Sequence, residues 1–151
     1  RLNAPQVYSS RIGAGTTVGP FAYIRPGCDI GANVRIGDFV EIKNSNIGER
    51  TKVSHLTYIG DSDLGSGINV GCGVVTVNYD GKKKHRTVVE DGSFIGCNVN
   101  LIAPVKVGRE AYVAAGTTVD QDVPDDALTV GRVRAIVKHH WVSRKKEEGK
   151  L

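Results

Sequence analysis

His55 is the residue whose type and position most suggest chemistry. The chain has 4 histidines: His85 lies in a charged segment and His139 and His140 lie in a basic tail, whereas His55 lies within a regular pattern of aliphatic residues. An imidazole can take a proton from an ammonium group at neutral pH. His55 is therefore a candidate general base, with a purely structural histidine as the alternative.

Two cations form a second suggestive pattern. Arg25 and Lys43 each follow an isoleucine directly and are 18 residues apart. If that spacing brings them onto one edge, their charges repel each other unless an anionic group lies between them. A phosphate fits, because Arg offers a forked donor. The alternative is a solvated basic edge.

A repeat of six residues runs through the chain and explains these spacings. Each repeat has one aliphatic position, which we call its anchor. Strand side chains alternate between two faces, so the anchor points inward together with the residue two before it. Three such strands make a triangular coil of about 18 residues, and successive coils pair in parallel. An amphipathic helix needs an apolar period near 3.6, which the pattern does not meet. The 18 anchor positions are Ile12, Val18, Ile24, Ile30, Ile36, Ile42, Ile47, Val53, Ile59, Leu64, Val70, Thr76, Val89, Ile95, Leu101, Val107, Val113 and Val119.

The sequence therefore predicts an all-β chain, a parallel β-helix of hexapeptide repeats. The repeat does not fix its hand, because parallel crossovers are right-handed in most proteins. The steps from Ile42 to Ile47 and from Ile59 to Leu64 are one residue short and fall at the same corner of successive coils. The long step from Thr76 to Val89 predicts an external loop at 78–86, either functional or a solvated excursion.

The regular pattern ends near Val123. We expect the β-helix domain to span residues 1–123 and a tail, partly helical or extended, to span 124–151. Ile136, Val137 and Trp141 would dock this tail on a coil or on a neighbouring subunit.

Counting coils places one set of residues along a single outer corner. Adjacent coils are about 4.8 Å apart, so the three small residues beyond His55 span on the order of 10–15 Å. They form a groove for a long thin ligand whose reactive end lies at His55, although small residues can also simply pack well at a corner. Asp38 or Glu41 could orient the imidazole. The corner residues are Pro20, Asp38, His55, Cys72, Cys97 and Ala115.

The composition narrows the classes of function. A net charge of +4 favours anionic ligands or indicates a solvated basic surface. No basic patch with interleaved aromatics indicates nucleic acid. The 3 irregularly spaced cysteines indicate neither a disulfide framework nor a zinc site, so no metal is expected. Without a signal peptide or a bilayer-spanning apolar run, we expect a cytoplasmic protein with no membrane partner.

An ordered set of motifs resembles one known family, that of the bifunctional bacterial enzyme that is both glucosamine-1-phosphate N-acetyltransferase and N-acetylglucosamine-1-phosphate uridylyltransferase. The similarity is to its C-terminal half and covers nearly the whole chain. It implies a left-handed β-helix that works as a homotrimer with active sites at subunit interfaces. It also implies acetyl transfer from acetyl-coenzyme A to glucosamine 1-phosphate, on the route to UDP-N-acetylglucosamine, peptidoglycan and lipopolysaccharide. The motifs are Pro20–Gly27, Glu41–Lys43, His55–Asp61, Asn69–Gly73 and Asn78–Gly81.

The resemblance implies roles for individual residues. His55 matches the general base, and Glu41 matches a carboxylate near it. Residues matching those that hold the sugar phosphate are Arg25, Lys43, Tyr58 and Asn69, and Lys84 matches a loop lysine near the active site. Residues matching the acetyl-coenzyme A site are Cys72, Asn78, Tyr79, Cys97, Ala115 and Arg132.

The chain departs from the family in two respects. Cys72 and Cys97 replace Ala or Ser of some relatives, which would preserve backbone contacts but not a hydroxyl contact. The Gly-rich nucleotide loop and Mg²⁺ ligands of the uridylyltransferase half do not occur in these 151 residues. We therefore expect no uridylyltransferase activity from this piece.

Four other readings remain open from the residues. Cys72 could carry the acetyl group covalently, although direct transfer is preferred. A different hexapeptide acetyltransferase could use another phosphorylated amine. A β-helical metalloenzyme of the carbonic anhydrase type would need several histidines on adjacent coils, and only His55 lies on one. A non-catalytic scaffold or ice-binding β-helix would favour flat, regular faces.

Overall fold

Residues 4–151 are described by a computed structural model, in which they form a left-handed parallel β-helix. Each short strand pairs in parallel with the strand one coil away. The predicted fold class is therefore confirmed. The first residues of the predicted β-helix domain, 1–3, lie outside the described residues.

Three sheets form the three sides of the triangular coil, and each takes every third strand, except that β20 follows β18 in sheet 3. Sheet 1 contains β1 (Gln6–Val7), β4 (Tyr23–Ile24), β7 (Glu41–Lys43), β10 (Tyr58–Gly60), β13 (Val75–Val77), β16 (Asn100–Ile102) and β19 (Thr118–Val119). Sheet 2 contains β2 (Arg11–Ile12), β5 (Asp29–Ile30), β8 (Asn46–Ile47), β11 (Ser62–Leu64), β14 (Thr87–Val89) and β17 (Val105–Val107). Sheet 3 contains β3 (Thr17–Val18), β6 (Arg35–Asp38), β9 (Lys52–His55), β12 (Asn69–Val70), β15 (Phe94–Ile95), β18 (Tyr112–Val113) and β20 (Leu128–Thr129). The helix α1 (Trp141–Glu147) follows the coils.

The aliphatic anchors fill the interior of the coils. Ile24, Ile42 and Ile59 stack in register on successive coils and are each at most 1% exposed. Burying a side chain of this size stabilises the fold by about 1.5–3 kcal/mol. Thr76 continues this column, and its hydroxyl accepts the N–H of Gly60 at 2.7 Å. The polar anchor therefore stays hydrogen-bonded inside an aliphatic core.

The two short steps form the tight corner between sheets 1 and 2. Asn44 and Asp61 take equivalent places there, with φ of 45° and 48°. Asn and Asp tolerate this left-handed conformation better than other non-glycine residues. The side-chain amide of Asn44 also donates to Asp61 Oδ1 at 2.7 Å. The corner therefore turns Asp61 back towards the residues at the edge of sheet 1.

The chain leaves the coils at the same corner, between β13 and β14. Tyr79 and Lys84 form an antiparallel bridge inside this loop, and Lys84 Nζ lies 4.3 Å from the centre of the Tyr79 ring. His85 Nε2 lies 2.7 Å from Asp80 Oδ2. This contact, together with two backbone N–H donors, holds the pKa of Asp80 far below its usual range. Internal bonds thus give the loop a defined shape.

Arg86 fastens the end of the loop to the coils. Its guanidinium donates to both oxygens of Asp63, at 2.6 and 2.8 Å, and to the carbonyl oxygens of Ser62 and Asn44. Two parallel N–H···O bonds to one carboxylate fix orientation as well as distance. The loop is therefore held at the corner between sheets 1 and 2.

The region beyond Val123 differs from the expected tail in one respect. The regular repeat has ended there, yet β20 adds one more strand to sheet 3, because the N–H of Tyr112 still donates to the carbonyl of Ala127. The apolar residues expected to dock the tail are exposed: Ile136 is 86% exposed, Val137 73% and Trp141 43%. They do not pack on a coil of the same chain, so docking on a neighbouring subunit stays a prediction. Within residues 4–151, no helix has the length and apolar character needed to cross a membrane.

Candidate active site

His55 lies at the end of β9, on the corner between sheets 3 and 1, with its side chain about half exposed. Asp38 is its in-register partner on the preceding coil, and Asp38 Oδ1 lies 2.9 Å from His55 Nδ1. This hydrogen bond lowers the pKa of Asp38, so the carboxylate is ionised at neutral pH. An ionised carboxylate at Nδ1 holds that nitrogen as the N–H donor and leaves Nε2 as the proton acceptor.

Glu41 does not contact the imidazole. Its Oε1 lies 3.0 Å from Arg25 Nη1, and the strand register pairs Glu41 with Tyr58 on sheet 1. Of the two carboxylates considered for orienting His55, Asp38 is the one that touches it. A role for Glu41 near the histidine stays a prediction.

The corner beyond His55 carries the residues expected at the acetyl-coenzyme A site. The anchors two positions earlier are in register from coil to coil, which stacks Cys72, Cys97 and Ala115. Both cysteines are free thiols, Cys97 exposed and Cys72 half-buried. Arg132 returns to this corner from the tail and donates to the carbonyl of Ala115 at 3.1 Å. Residues far apart in sequence therefore form one continuous edge.

Arg25 and Lys43 lie on successive coils at the edge of sheet 1, as expected from their spacing. Each cation has a carboxylate partner within the chain: Glu41 for Arg25, and Asp61 for Lys43, whose Nζ lies 3.1 Å from Asp61 Oδ2. The hydrogen bond with Glu41 raises the pKa of Arg25. The argument that repulsion between these cations requires a bound anion was therefore wrong. Phosphate binding by the pair stays a prediction.

Asp61 was not singled out from the sequence, yet it contacts three side chains of this region. It is 4% exposed and accepts hydrogen bonds from Lys43, Asn44 and Asn78. Burial raises the pKa of Asp61, but these three donors outweigh it and the net pKa lies below the ordinary value. Asp61 thus joins Lys43, expected at the sugar phosphate, to Asn78, expected at the acetyl donor.

The other expected residues lie on three different parts of the surface. Tyr58 is on sheet 1, where its hydroxyl accepts from Asn78 Nδ2 at 3.3 Å. Tyr79 and Lys84 lie in the external loop. Asn69 lies on sheet 3, on the other side of the His55 corner, in register with Lys52. The structure therefore brings Arg25, Lys43, Tyr58 and Asn78 together, but it does not place Asn69 beside them within one chain.

No group of three His, Cys, Asp or Glu side chains within residues 4–151 is arranged to hold a metal ion. A base with an orienting carboxylate, a corner of small side chains and a cationic edge form an arrangement that can move a proton while two organic molecules react.

Known proteins share both the repeat and much of the sequence. Residues 9–44 and 86–121 match the family described as bacterial transferase hexapeptide (six repeats). The bifunctional protein GlmU of Brevibacillus brevis is 57% identical over 141 residues, which are 93% of this chain but 31% of that protein. The chain thus spans about a third of the length of this relative.

Two solved structures share the fold at lower sequence identity. LpxA, a UDP-N-acetylglucosamine acyltransferase from Bacteroides fragilis, is 20% identical with a TM-score of 0.73. The alignment covers 97% of this chain and 65% of the LpxA chain. The second is a mutant of AntD, an N-acyltransferase from Bacillus cereus, in complex with dTDP and coenzyme A. It is 20% identical with a TM-score of 0.72, and the alignment covers 95% of this chain and 91% of the AntD chain. From the coiled hexapeptides and the near-complete match to GlmU, this chain belongs to the GlmU family, as its C-terminal hexapeptide-repeat part.

Proposed function

We propose that this chain transfers an acetyl group from acetyl-coenzyme A to the amine of glucosamine 1-phosphate, giving N-acetylglucosamine 1-phosphate. The observation that carries the proposal is the exposed His55, held by Asp38 at one end of a corner along which small side chains stack in register. The alternative is a hexapeptide acetyltransferase with another phosphorylated amine as acceptor. AntD, which shares the fold, is an N-acyltransferase.

In the proposed reaction, His55 Nε2 takes a proton from the amino group of the sugar. The amine nitrogen attacks the thioester carbonyl carbon, a C–N bond forms, and the C–S bond breaks as the tetrahedral intermediate collapses. The thiolate of coenzyme A leaves and takes the proton from the protonated His55, so the protein ends in its starting state. A backbone N–H near Cys72 or Asn78 stabilises the oxyanion. Cys72 contributes as a groove wall and not as an acyl carrier.

The acetyl donor lies along the corner beyond His55. Cys72, Cys97 and Ala115 line its pantetheine arm, and Arg132, Asn78 and Tyr79 contact the same molecule. Arg132 supports this assignment because its guanidinium already lies against the carbonyl of Ala115. A cation at that point suits a ligand that carries phosphates.

The assay of the proposed function measures coenzyme A formed from acetyl-coenzyme A with a panel of amines: glucosamine 1-phosphate, glucosamine 6-phosphate, glucosamine and serine. Chromatography is preferred to a thiol reagent because Cys97 is exposed and would react with it. Turnover with glucosamine 1-phosphate well above the other acceptors is expected. Absence of turnover with every amine would contradict the proposal, and preference for another phosphorylated amine would favour the alternative.

Replacing Arg25 or Lys43 with Gln is expected to raise the KM for glucosamine 1-phosphate roughly 10- to 100-fold, because one charge-assisted hydrogen bond to phosphate is lost. The KM for acetyl-coenzyme A and the kcat should change little. Arg11→Gln is the matched control, since Arg11 also pairs with a carboxylate one coil away but lies on sheet 2. Equal losses with unphosphorylated glucosamine would argue against phosphate binding.

We further propose a homotrimer in the cytoplasm, with each active site shared between subunits. Its support is the separation of Asn69 from Arg25 and Lys43 within one chain, together with the exposed apolar residues of the tail. Light scattering should give a mass three times the 16.2 kDa of the chain. A monomeric mass at active concentrations would contradict shared sites.

A further inference from the structure

Two free thiols lie on successive coils at the corner beyond His55. Val70 and Ile95 are Cα partners on sheet 3, and Cys72 and Cys97 each come two residues later. One coil and the external loop separate the two cysteines in the chain, so their irregular spacing in the sequence hides that they are neighbours. Cys97 is exposed and Cys72 is half-buried, so a reagent can reach the pair from solvent.

Backbone hydrogen bonds hold these two turns at the ordinary spacing of neighbouring strands. The N–H of Gly71 donates to the carbonyl of Ile95 at 2.8 Å. The N–H of Asn98 donates to the carbonyl of Cys72, also at 2.8 Å. Gly71 permits this approach, because a Cβ there would lie only 2.9 Å from Cys97 Cα. Neighbouring parallel strands are about 4.8 Å apart, which is inside the range of about 4.4–6.8 Å between the Cα atoms of disulfide-bonded cysteines.

Side chains at this corner position reach each other from coil to coil. Asp38 and His55 occupy the equivalent positions on the two preceding coils, and their side chains meet at 2.9 Å. Cβ atoms that project side by side keep the strand spacing of about 4.8 Å, slightly more than the usual 3.5–4.5 Å of a disulfide. A bond between Cys72 and Cys97 therefore needs a small shift of the turns and is strained. Strained, exposed disulfides are readily reduced again.

We propose that Cys72 and Cys97 are a reversible oxidation site, at which a disulfide bond weakens the binding of acetyl-coenzyme A. Forming the bond draws the two turns together and moves the side chains along which the pantetheine arm is proposed to lie. This weakening rests on the proposed function, whereas the bond itself rests on the geometry of the two turns alone. Disulfides inside cells are mostly transient and regulatory, which agrees with a bond that is easily reduced.

The oxidant is a small disulfide such as oxidised glutathione, since a site open to coenzyme A is open to a molecule of that size. The thiolate of Cys97, the more exposed of the two, attacks one sulfur of the reagent, whose S–S bond breaks to release one thiol. The thiolate of Cys72 then attacks Cys97 Sγ in the mixed disulfide and displaces the second thiol. The two cysteines lose two electrons and two protons, and the reagent gains both as two thiols.

The first measurement tests formation of the bond and needs no enzyme activity. The whole chain is treated with oxidised glutathione, alkylated, unfolded and digested with trypsin, and its peptides are identified by mass spectrometry. Trypsin cleaves between Cys72 and Cys97, at Lys82 and Arg86 among other points, so the bond would link two peptides. These linked peptides are expected, and they should separate after dithiothreitol. Cys28, only 4% exposed, is the internal control and should remain a free thiol.

Three results would overturn the bond. One is recovery of both Cys72 and Cys97 as alkylated, unlinked peptides. The second is a glutathione adduct on Cys97 that persists without linkage, because the two turns would then be unable to approach. The third is linkage between the Cys97 residues of two chains, seen as a dimer on a non-reducing gel.

The second measurement tests the effect on the acetyl donor by calorimetry on oxidised and reduced protein. The ligand is acetyl-coenzyme A, because the free thiol of coenzyme A would reduce the bond. Oxidation of the wild type should raise the Kd by roughly tenfold or more. Cys97→Ser lacks one partner, so its Kd, whatever the starting value, should not respond to the oxidant. Cys28→Ala keeps the pair and should respond as the wild type does.

The variants also separate the possible causes. A Cys72→Ala protein that still loses affinity on oxidation would show that an adduct on Cys97 is responsible, and would overturn the proposal. An unchanged Kd in protein that carries the bond would overturn the effect on acetyl-coenzyme A. Reduced protein that forms the bond on oxidation but never binds acetyl-coenzyme A would contradict the proposed function, and with it the effect, while the oxidation site itself would stand.

Discussion

Replacing His55 with alanine is expected to lower the kcat of acetyl transfer roughly 10²–10⁴-fold, the usual contribution of a positioned general base. The amine must lose a proton as it attacks the thioester, and no other imidazole lies on a coil within residues 4–151. The KM values of both substrates should stay near wild type, because the contacts proposed for the phosphate and the pantetheine arm are with other residues. Initial rates of coenzyme A formation at saturating substrates measure the loss.

Asp38→Asn separates orientation of the imidazole from proton transfer. The carboxylate 2.9 Å from Nδ1 is removed while the imidazole remains, so kcat should fall by a smaller factor, about 10- to 100-fold. Glu41→Gln is the comparison, since Glu41 contacts Arg25 and its loss should act mainly on sugar-phosphate binding. A His55→Ala enzyme with wild-type turnover would show that the base lies elsewhere. A larger loss in Asp38→Asn than in His55→Ala would point to Asp38 as the base.

The positions of these residues could be predicted because a β-helix converts spacing into adjacency. Coils of three hexapeptides placed Asp38 beside His55, and Cys72, Cys97 and Ala115 above them, once the two short corners and the loop were counted. Each of these relations rests on backbone register, which the pattern of aliphatic residues determines.

The side-chain partners could not be predicted in the same way. Coil counting gave the cations Arg25 and Lys43 the right places, but it did not show that Glu41 and Asp61 reach across a coil to neutralise them. Lys43 and Arg25 have long side chains with many rotamers, and the choice of rotamer decides whether each reaches a carboxylate on the next coil. The hexapeptide pattern describes only the inward positions and carries no information on that choice. The hand of the helix likewise came from family resemblance and not from the repeat.

Replacing Asp61 with alanine is expected to reduce the free energy of unfolding by roughly 2–3 kcal/mol, because hydrogen bonds from Lys43, Asn44 and Asn78 lose a buried ionised acceptor. The Lys43 side chain is 25% exposed, so its charge is left partly desolvated without a partner. Urea denaturation followed by circular dichroism measures the change. Asp29→Ala is the matched control, since its pair with Arg11 is exposed and should contribute only about 0–1 kcal/mol.

The same residue should also give the fold a specific sensitivity to acid. The folded-state pKa of Asp61 lies below its ordinary value of 3.8, so ionised Asp61 stabilises the fold fully above that pH. The stabilisation is lost as the pH falls through the lower folded-state pKa. The difference in unfolding free energy between wild type and Asp61→Asn should therefore be constant at neutral pH and shrink below about pH 3.8. A difference that is independent of pH down to acid unfolding would mean that Asp61 acts by shape alone. The claim that its negative charge stabilises the contacts with Lys43 and Asn78 would then be wrong.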